Sequence, residues 1–150
     1  MAFNMSRWHP DDLARLPFTL LIKPCPATLL QHFRGVVTVA LRIYQGLTEV
    51  YTNEPKLQCN KDELIAAALL HDVGKIIEYT KDDNGDIVVS ASGKLLRHPI
   101  SGSELCFACG IPDSVRHAVA CHSTEGNNFR KTLIAHIVHH ADFCNFEPLH

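Results

Sequence analysis

The stretch Asn60-Lys-Asp-Glu-Leu-Ile-Ala-Ala-Ala-Leu-Leu-His-Asp-Val-Gly-Lys-Ile-Ile-Glu-Tyr79 decides how the chain is read. Asn60 followed three residues later by Glu63 predicts a helix start, because an N-cap side chain and a returning carboxylate satisfy backbone N–H groups that the first turn leaves unpaired. Leu64, Ile65, Ala68, Leu69, Asp72 and Ile76 then recur at spacings of three and four, so the stripe that should face the core also carries a carboxylate. Burying an ionised aspartate costs several kcal/mol unless it is paired or coordinates a metal. His71 beside it offers the kind of nitrogen that transition metals favour. The pattern reads as a metal site inside a helical bundle.

Working outward, the long amphipathic pattern from Ala27 to about Tyr51 places Leu29, Phe33, Val36, Val37, Ala40, Tyr44 and Leu47 on one face, with His32 along its edge. After the central helix, Asn84-Gly85 between β-favouring residues predicts a small hairpin, the one strand candidate. Pro99 suits the first turn of a helix that stops at Gly110 and has His98 at its entrance. Asp113 is expected to cap a helix through Val115, Ala118, Val119 and His122, ended by Gly126-Asn127-Asn128. The last helix, about Lys131 to Phe146, sets Asp142 on a stripe with Leu133, Ile137, Val138 and Ala141. Residues 1–26 are an irregular lead-in: Asp11 to Leu16 forms at most two helical turns, three prolines break any continuation, and Phe18 to Ile22 packs as a cap on the core.

Composition narrows the class. A chain of 150 residues with 46% hydrophobic and 20% charged residues and a net charge of −2 reads as one domain, 1–150. It can bury roughly 70% of its unfolded surface without disulfide staples. That charge balance disfavours a nucleic acid polymer as partner. No stretch approaches a membrane span and the N-terminus lacks a signal-peptide core, so a cytoplasmic protein is expected. Six cysteines scattered through expected helices read as reduced core thiols, including the mid-helix pair Cys106 and Cys109.

Any one of these histidines alone is weak evidence. Together, His32, His71, Asp72, His98, His122 and Asp142 lie on or at the ends of core-facing stripes from five segments, and bundle cores are where such side chains converge on metals. The ordered series of His32, Ala-Leu-Leu-His-Asp-Val-Gly-Lys at 68–75, His98 in Leu-Arg-His-Pro-Ile-Ser-Gly, His122 in Ala-Cys-His-Ser-Thr-Glu-Gly and Asp142 in His-His-Ala-Asp-Phe resembles the HD superfamily of metal-dependent phosphohydrolases. The resemblance covers about residues 28–148. It implies an all-α bundle of five to seven helices with at most one small hairpin. It further implies one metal on His32, His71, Asp72 and Asp142 and a second on His98 and His122, with Asp72 bridging. Iron or manganese is favoured, and zinc, nickel and magnesium stay open.

Two such ions lower the pKa of a shared water and clamp phosphate oxygens, so the expected activity is hydrolysis of a small phosphate ester or anhydride, a nucleotide above all. The chain looks most like small stand-alone members such as the diadenosine tetraphosphate hydrolases. The cyclic-dinucleotide subclass is disfavoured, since His122-Ser123 and Asn127-Asn128 stand where that group has paired histidines and Gly-Tyr-Pro. Alternatives with the same ligands are a mixed-valent di-iron oxygenase acting on a phosphonate or polyol, and a non-catalytic metal-bound sensor. Lys75, one turn after His71 and Asp72, is expected to bind substrate phosphate, its bland alternative being a solvent-exposed lysine. Arg130 and Lys131 are candidate phosphate contacts at the mouth, or an ordinary surface pair, and Arg97 beside His98 is read with the same two alternatives. His139 is a candidate support for the ligands, His136 and His140 are read as structural, and monomer or homodimer stays open.

Overall fold

The computed structural model describes residues 2–150, with side chains from residue 4 onward. Seven helices run α1 Leu29–Val50, α2 Lys61–Leu70, α3 Lys75–Glu78, α4 Ala91–Leu95, α5 His98–Ala108, α6 Asp113–Cys121 and α7 Leu133–Phe146. One antiparallel hairpin, β1 Tyr79–Lys81 with β2 Ile87–Val89, pairs Tyr79 with Val89 and Lys81 with Ile87. Its turn places Gly85 at φ +84°, the left-handed region that glycine enters without a Cβ penalty. The expected all-α bundle with one small hairpin is what the chain forms. No helix among the described residues is long and apolar enough to cross a membrane.

Helix α1 begins where Thr28 and Gln31 cap each other reciprocally, and it packs against α2 and α7. Helix α6 lies against α5 and α7. Between them Val36, Ala40, Leu64, Ala68, Val119, Ile137 and Val138 make the main core. A second cluster of Trp8, Leu16, Phe18, Leu29, Phe33, Ile76 and Tyr79 seals the other side of α1, and Val73 packs against both. Residues 8–22 are therefore a strap over this cluster, pinned where the Trp8 indole Nε1 donates to the Tyr79 carbonyl at 3.0 Å. The lead-in holds a 3-10 turn at Pro10–Ala14.

Several expectations need correction. The helix begun at Asn60 ends at Leu70, and His71 to Gly74 form a turn before the short α3. A Cβ on Gly74 would run into the His98 carbonyl oxygen and sit 2.7 Å from Ser101 Oγ, so α5 crosses here against bare backbone. Leu69, read as a core position, is 44% exposed because the buried face of α2 runs through Leu64, Ala67 and Ala68 and leaves Leu69 outside it. Asn60 caps α2 by accepting from the N–H groups of Asp62 and Glu63, but Glu63 accepts from the Ser114 hydroxyl instead of returning to Asn60. Asp113 is the first residue of α6 rather than its cap, and its carboxylate pairs with Arg116 at 2.6 Å. Helix α6 stops at Cys121, which leaves His122 just beyond its end. Cys106 and Cys121 are buried, whereas Cys109 and Cys144 are exposed and not core thiols.

Candidate metal centre

His71 and His122 occupy equivalent places. Each is the residue after the last turn of its helix, and each ring turns its Nδ1 back to the carbonyl three residues earlier, Ala68 at 2.8 Å and Val119 at 2.7 Å. A carbonyl only accepts, so Nδ1 carries the proton in both rings and Nε2 presents a bare lone pair. His98, the first residue of α5, reaches the same state differently: its Nδ1 donates to Glu78 Oε2 at 2.6 Å. His32 enters from α1 with its ring stacked on Phe18 at 4.6 Å between centroids.

All four Nε2 atoms face Asp72. Its Oδ2 lies 3.4 Å from His32 and 3.3 Å from His71, and its Oδ1 lies 3.1 Å from His98 and 3.5 Å from His122. Asp142 Oδ1 completes the first pair at 3.0 Å from His32 and 3.7 Å from His71. Two ligand triads share the Asp72 carboxylate: His32, His71 and Asp72, and Asp72, His98 and His122. Asp72 Oδ1 and His122 Nε2 are buried with no hydrogen-bond partner, while Asp72 Oδ2 meets the Lys75 ammonium at 2.6 Å. Lone pairs aimed at a carboxylate repel one another, and a cation between them removes the conflict. Each of the two groups could therefore hold a metal ion, and both include Asp72.

Burial alone would raise the Asp72 carboxyl, but the Lys75 ammonium beside it leads the effects that hold it well below the ordinary range. Burial likewise opposes ionisation of Asp142, yet the hydrogen bond from His32 leads the effects that bring it down to about 2. Tyr79 is pushed up to about 12, chiefly by burial, and stays a neutral phenol.

Lys75 is neither exposed nor free. It is buried, its Nζ donates to the Phe18 carbonyl at 2.6 Å, and it forms an ion pair of 2.6 Å with Asp72 Oδ2. The bland reading of a solvent-exposed lysine is thus overturned, because α3 turns inward behind Gly74 and drops the ammonium onto the strap. Arg130 donates to the carbonyls of Cys121 and Ser123 and to Asn127 Oδ1, holding the loop after α6. Lys131 is exposed. Neither lines the cavity above the metal centre. That cavity, of about 430 Å³, opens over Asp72, Lys75, His98 and Asp142 and is walled by Phe18, Leu20, Tyr79, Phe143 and Phe146, with Lys94 and Arg97 on its rim. His139 Nδ1 donates to the His122 carbonyl at 2.6 Å, while His136 and His140 are exposed.

Sequence reasoning missed Glu78 and Phe18 as parts of the site, whereas Arg97, weighed beside His98, does line the cavity. Glu78 left one signal, a carboxylate inside the apolar run Ile76-Ile77-Glu78-Tyr79. Phe18 left none, being separated by Pro24 and Pro26 from every ligand.

The HD domain model matches residues 29–145. The chain belongs to the HD-domain family. It is also 32% identical over 115 residues to a dihydroneopterin 2',3'-cyclic phosphate phosphodiesterase from Methanocaldococcus jannaschii, a match over 76% of this chain. This HD chain spans 44% of that relative's length. No solved structure matches it.

Proposed function

We propose that this HD-domain chain hydrolyses a small phosphate ester, with a cyclic or nucleotide phosphate as the substrate class. The observation that carries this reading is one buried carboxylate, Asp72, set between two pairs of imidazole nitrogens at the floor of a cavity rimmed by cations. His32, His71, Asp72 and Asp142 would hold one divalent transition metal, and His98, His122 and Asp72 another. When bound, such a pair polarises phosphoryl oxygens and lowers the pKa of a nearby water. The substrate in the relative's name, a cyclic phosphate, supports the same bond type.

The chain's own residues would do the rest. Lys75 uses one N–H on Phe18 and one on Asp72, which leaves its third for a phosphate oxygen in the cavity. Arg97 and Lys94 on the rim take the place that sequence reasoning gave to Arg130 and Lys131 as cations for the substrate. Phe18, Phe143 and Phe146 offer an apolar wall to a planar ring system, while their bulk keeps water from the buried side of the site. Hydrolysis adds water across one P–O ester bond, giving a phosphate monoester from a cyclic diester.

The test supplies Mn²⁺ or Fe²⁺ and screens nucleoside 2',3'-cyclic phosphates, mononucleotides and dinucleoside polyphosphates under strict anaerobiosis. Turnover that persists without O₂ and stops with chelator is expected, and Arg97→Ala should raise KM about tenfold with kcat largely kept. Turnover of a phosphonate or polyol only in the presence of O₂ would replace the reading with the oxygenase one. Absence of any hydrolysis in metal-loaded protein would end it.

A further inference from the structure

Glu78 is the last residue of α3, twenty positions before His98, and its carboxylate is buried at 6% exposure. A single oxygen, Oε2, accepts two hydrogen bonds from His98, one from the ring Nδ1 at 2.6 Å and one from the backbone N–H at 2.6 Å. That backbone N–H opens α5, where the preceding residue, Arg97, makes no side-chain cap. Unpaired N–H groups and the positive end of the dipole make this terminus a place for an anion. Glu78 supplies it, and with the same atom settles which nitrogen of His98 keeps its proton.

The carboxylate is itself held. The Glu78 backbone carbonyl accepts from Ser90 N–H at 2.7 Å, and α4 packs so closely that a Cβ on Gly93 would lie 2.6 Å from that carbonyl oxygen. The other carboxylate oxygen faces Arg97 Nε at 3.7 Å, and Arg97 also reaches Glu125 at 3.4 Å. Burial would raise the Glu78 carboxyl, but the hydrogen bonds from His98 keep it on the ionised side. His71 and His122, by contrast, commit their Nδ1 atoms to carbonyls of their own helices.

We infer that Glu78 is a positioning residue for His98, aiming its Nε2 at the metal that His98 and His122 share with Asp72. This rests on the dinuclear reading above. Partners that fix a ligand imidazole commonly change metal affinity by 10–100-fold when removed. Both hydrogen bonds that the Glu78 carboxylate accepts come from His98, and among the described residues it bonds no other ligand. Its effect should therefore run through His98 alone.

The experiment titrates metal-free protein with Mn²⁺ by calorimetry, alongside metal content by elemental analysis and thermal melting without metal. Wild type should bind two equivalents. Glu78→Ala should keep one equivalent at wild-type affinity and weaken the other 10–100-fold, and Glu78→Gln, which retains an acceptor oxygen of the same shape, should recover most of that loss. In a His98→Ala background, adding Glu78→Ala should change nothing further. Two equivalents at wild-type affinity in Glu78→Ala overturn the inference, as does equal weakening of both equivalents with a fallen melting temperature, or an effect that survives in the His98→Ala background. If Glu78→Ala does not fold, Glu78→Asp decides, because its shorter carboxylate keeps the charge and withdraws the acceptor; unchanged affinity there overturns the inference. Wild-type protein that binds no Mn²⁺ overturns the dinuclear reading and this inference with it, a result distinct from any of the variant failures.

Discussion

The helix ends that carry His71 and His122 differ from the entries of His32 and His98 in how they hold their rings. At the ends of α2 and α6, orientation is local: each Nδ1 bonds a carbonyl three residues back, and no other part of the chain is needed. His32 and His98 are held from afar, by the ring of Phe18 on the strap and the carboxylate of Glu78 on α3. Local supports arise whenever the helix forms. Remote supports depend on packing between elements, so a single substitution far from the metal can misdirect a ligand without altering any ligand.

Breaking the shared element should erase the difference altogether. Asp72→Ala removes the ligand common to both triads, so metal-loaded protein should lose both equivalents together and melt near the metal-free protein. Elemental analysis and melting with and without chelator measure this. Retention of one full equivalent would show that the two pairs are independent.

A second substitution acts on packing alone. Gly74→Ala places a methyl group against the His98 carbonyl and Ser101, and overpacking of this kind costs about 1–3 kcal/mol. Because α5 must back away, the His98 and His122 equivalent should weaken more than the other. Chemical denaturation and Mn²⁺ titration report the two effects, and an equal loss at both sites would deny that α5 is the element that yields.

The smallest effect sharpens the contrast on the His32 side. Phe18→Leu keeps most of the volume while removing the stacked ring, a loss of about 0.5–1.5 kcal/mol. Affinity for the equivalent held by His32 should fall a few-fold, with the His98 equivalent unchanged in the same titration. A shift confined to the His98 equivalent would reverse the assignment of supports.

The same division explains what could be read from the chain. The candidate ligands that the structure brings together were legible because they lie in short motifs on or at the ends of periodic stripes, as His71-Asp72 and Asp142 do. Helix boundaries were less so: the spacing of Leu64, Ala68, Asp72 and Ile76 continues through a turn that Gly74 breaks for the sake of α5, a neighbour the local pattern does not contain. Arg130 was misjudged for a related reason. Its position after a loop suggested the mouth of the site, whereas its guanidinium is spent on three acceptors in that loop. Glu78 and Phe18 reach His98 and His32 across 20 and 14 residues of chain, and a distance along the chain says nothing of a meeting in space.

The Lys75 ammonium that donates to the Phe18 carbonyl, 57 residues away, bears on where this folding unit can be cut. The family match begins at residue 29, after the strap. A fragment trimmed to that boundary would strip an acceptor from a buried cation and open one face of His32 to water. The recognisable domain is thus smaller than the piece of chain that keeps its centre dry, and residues 8–22 serve as its gasket.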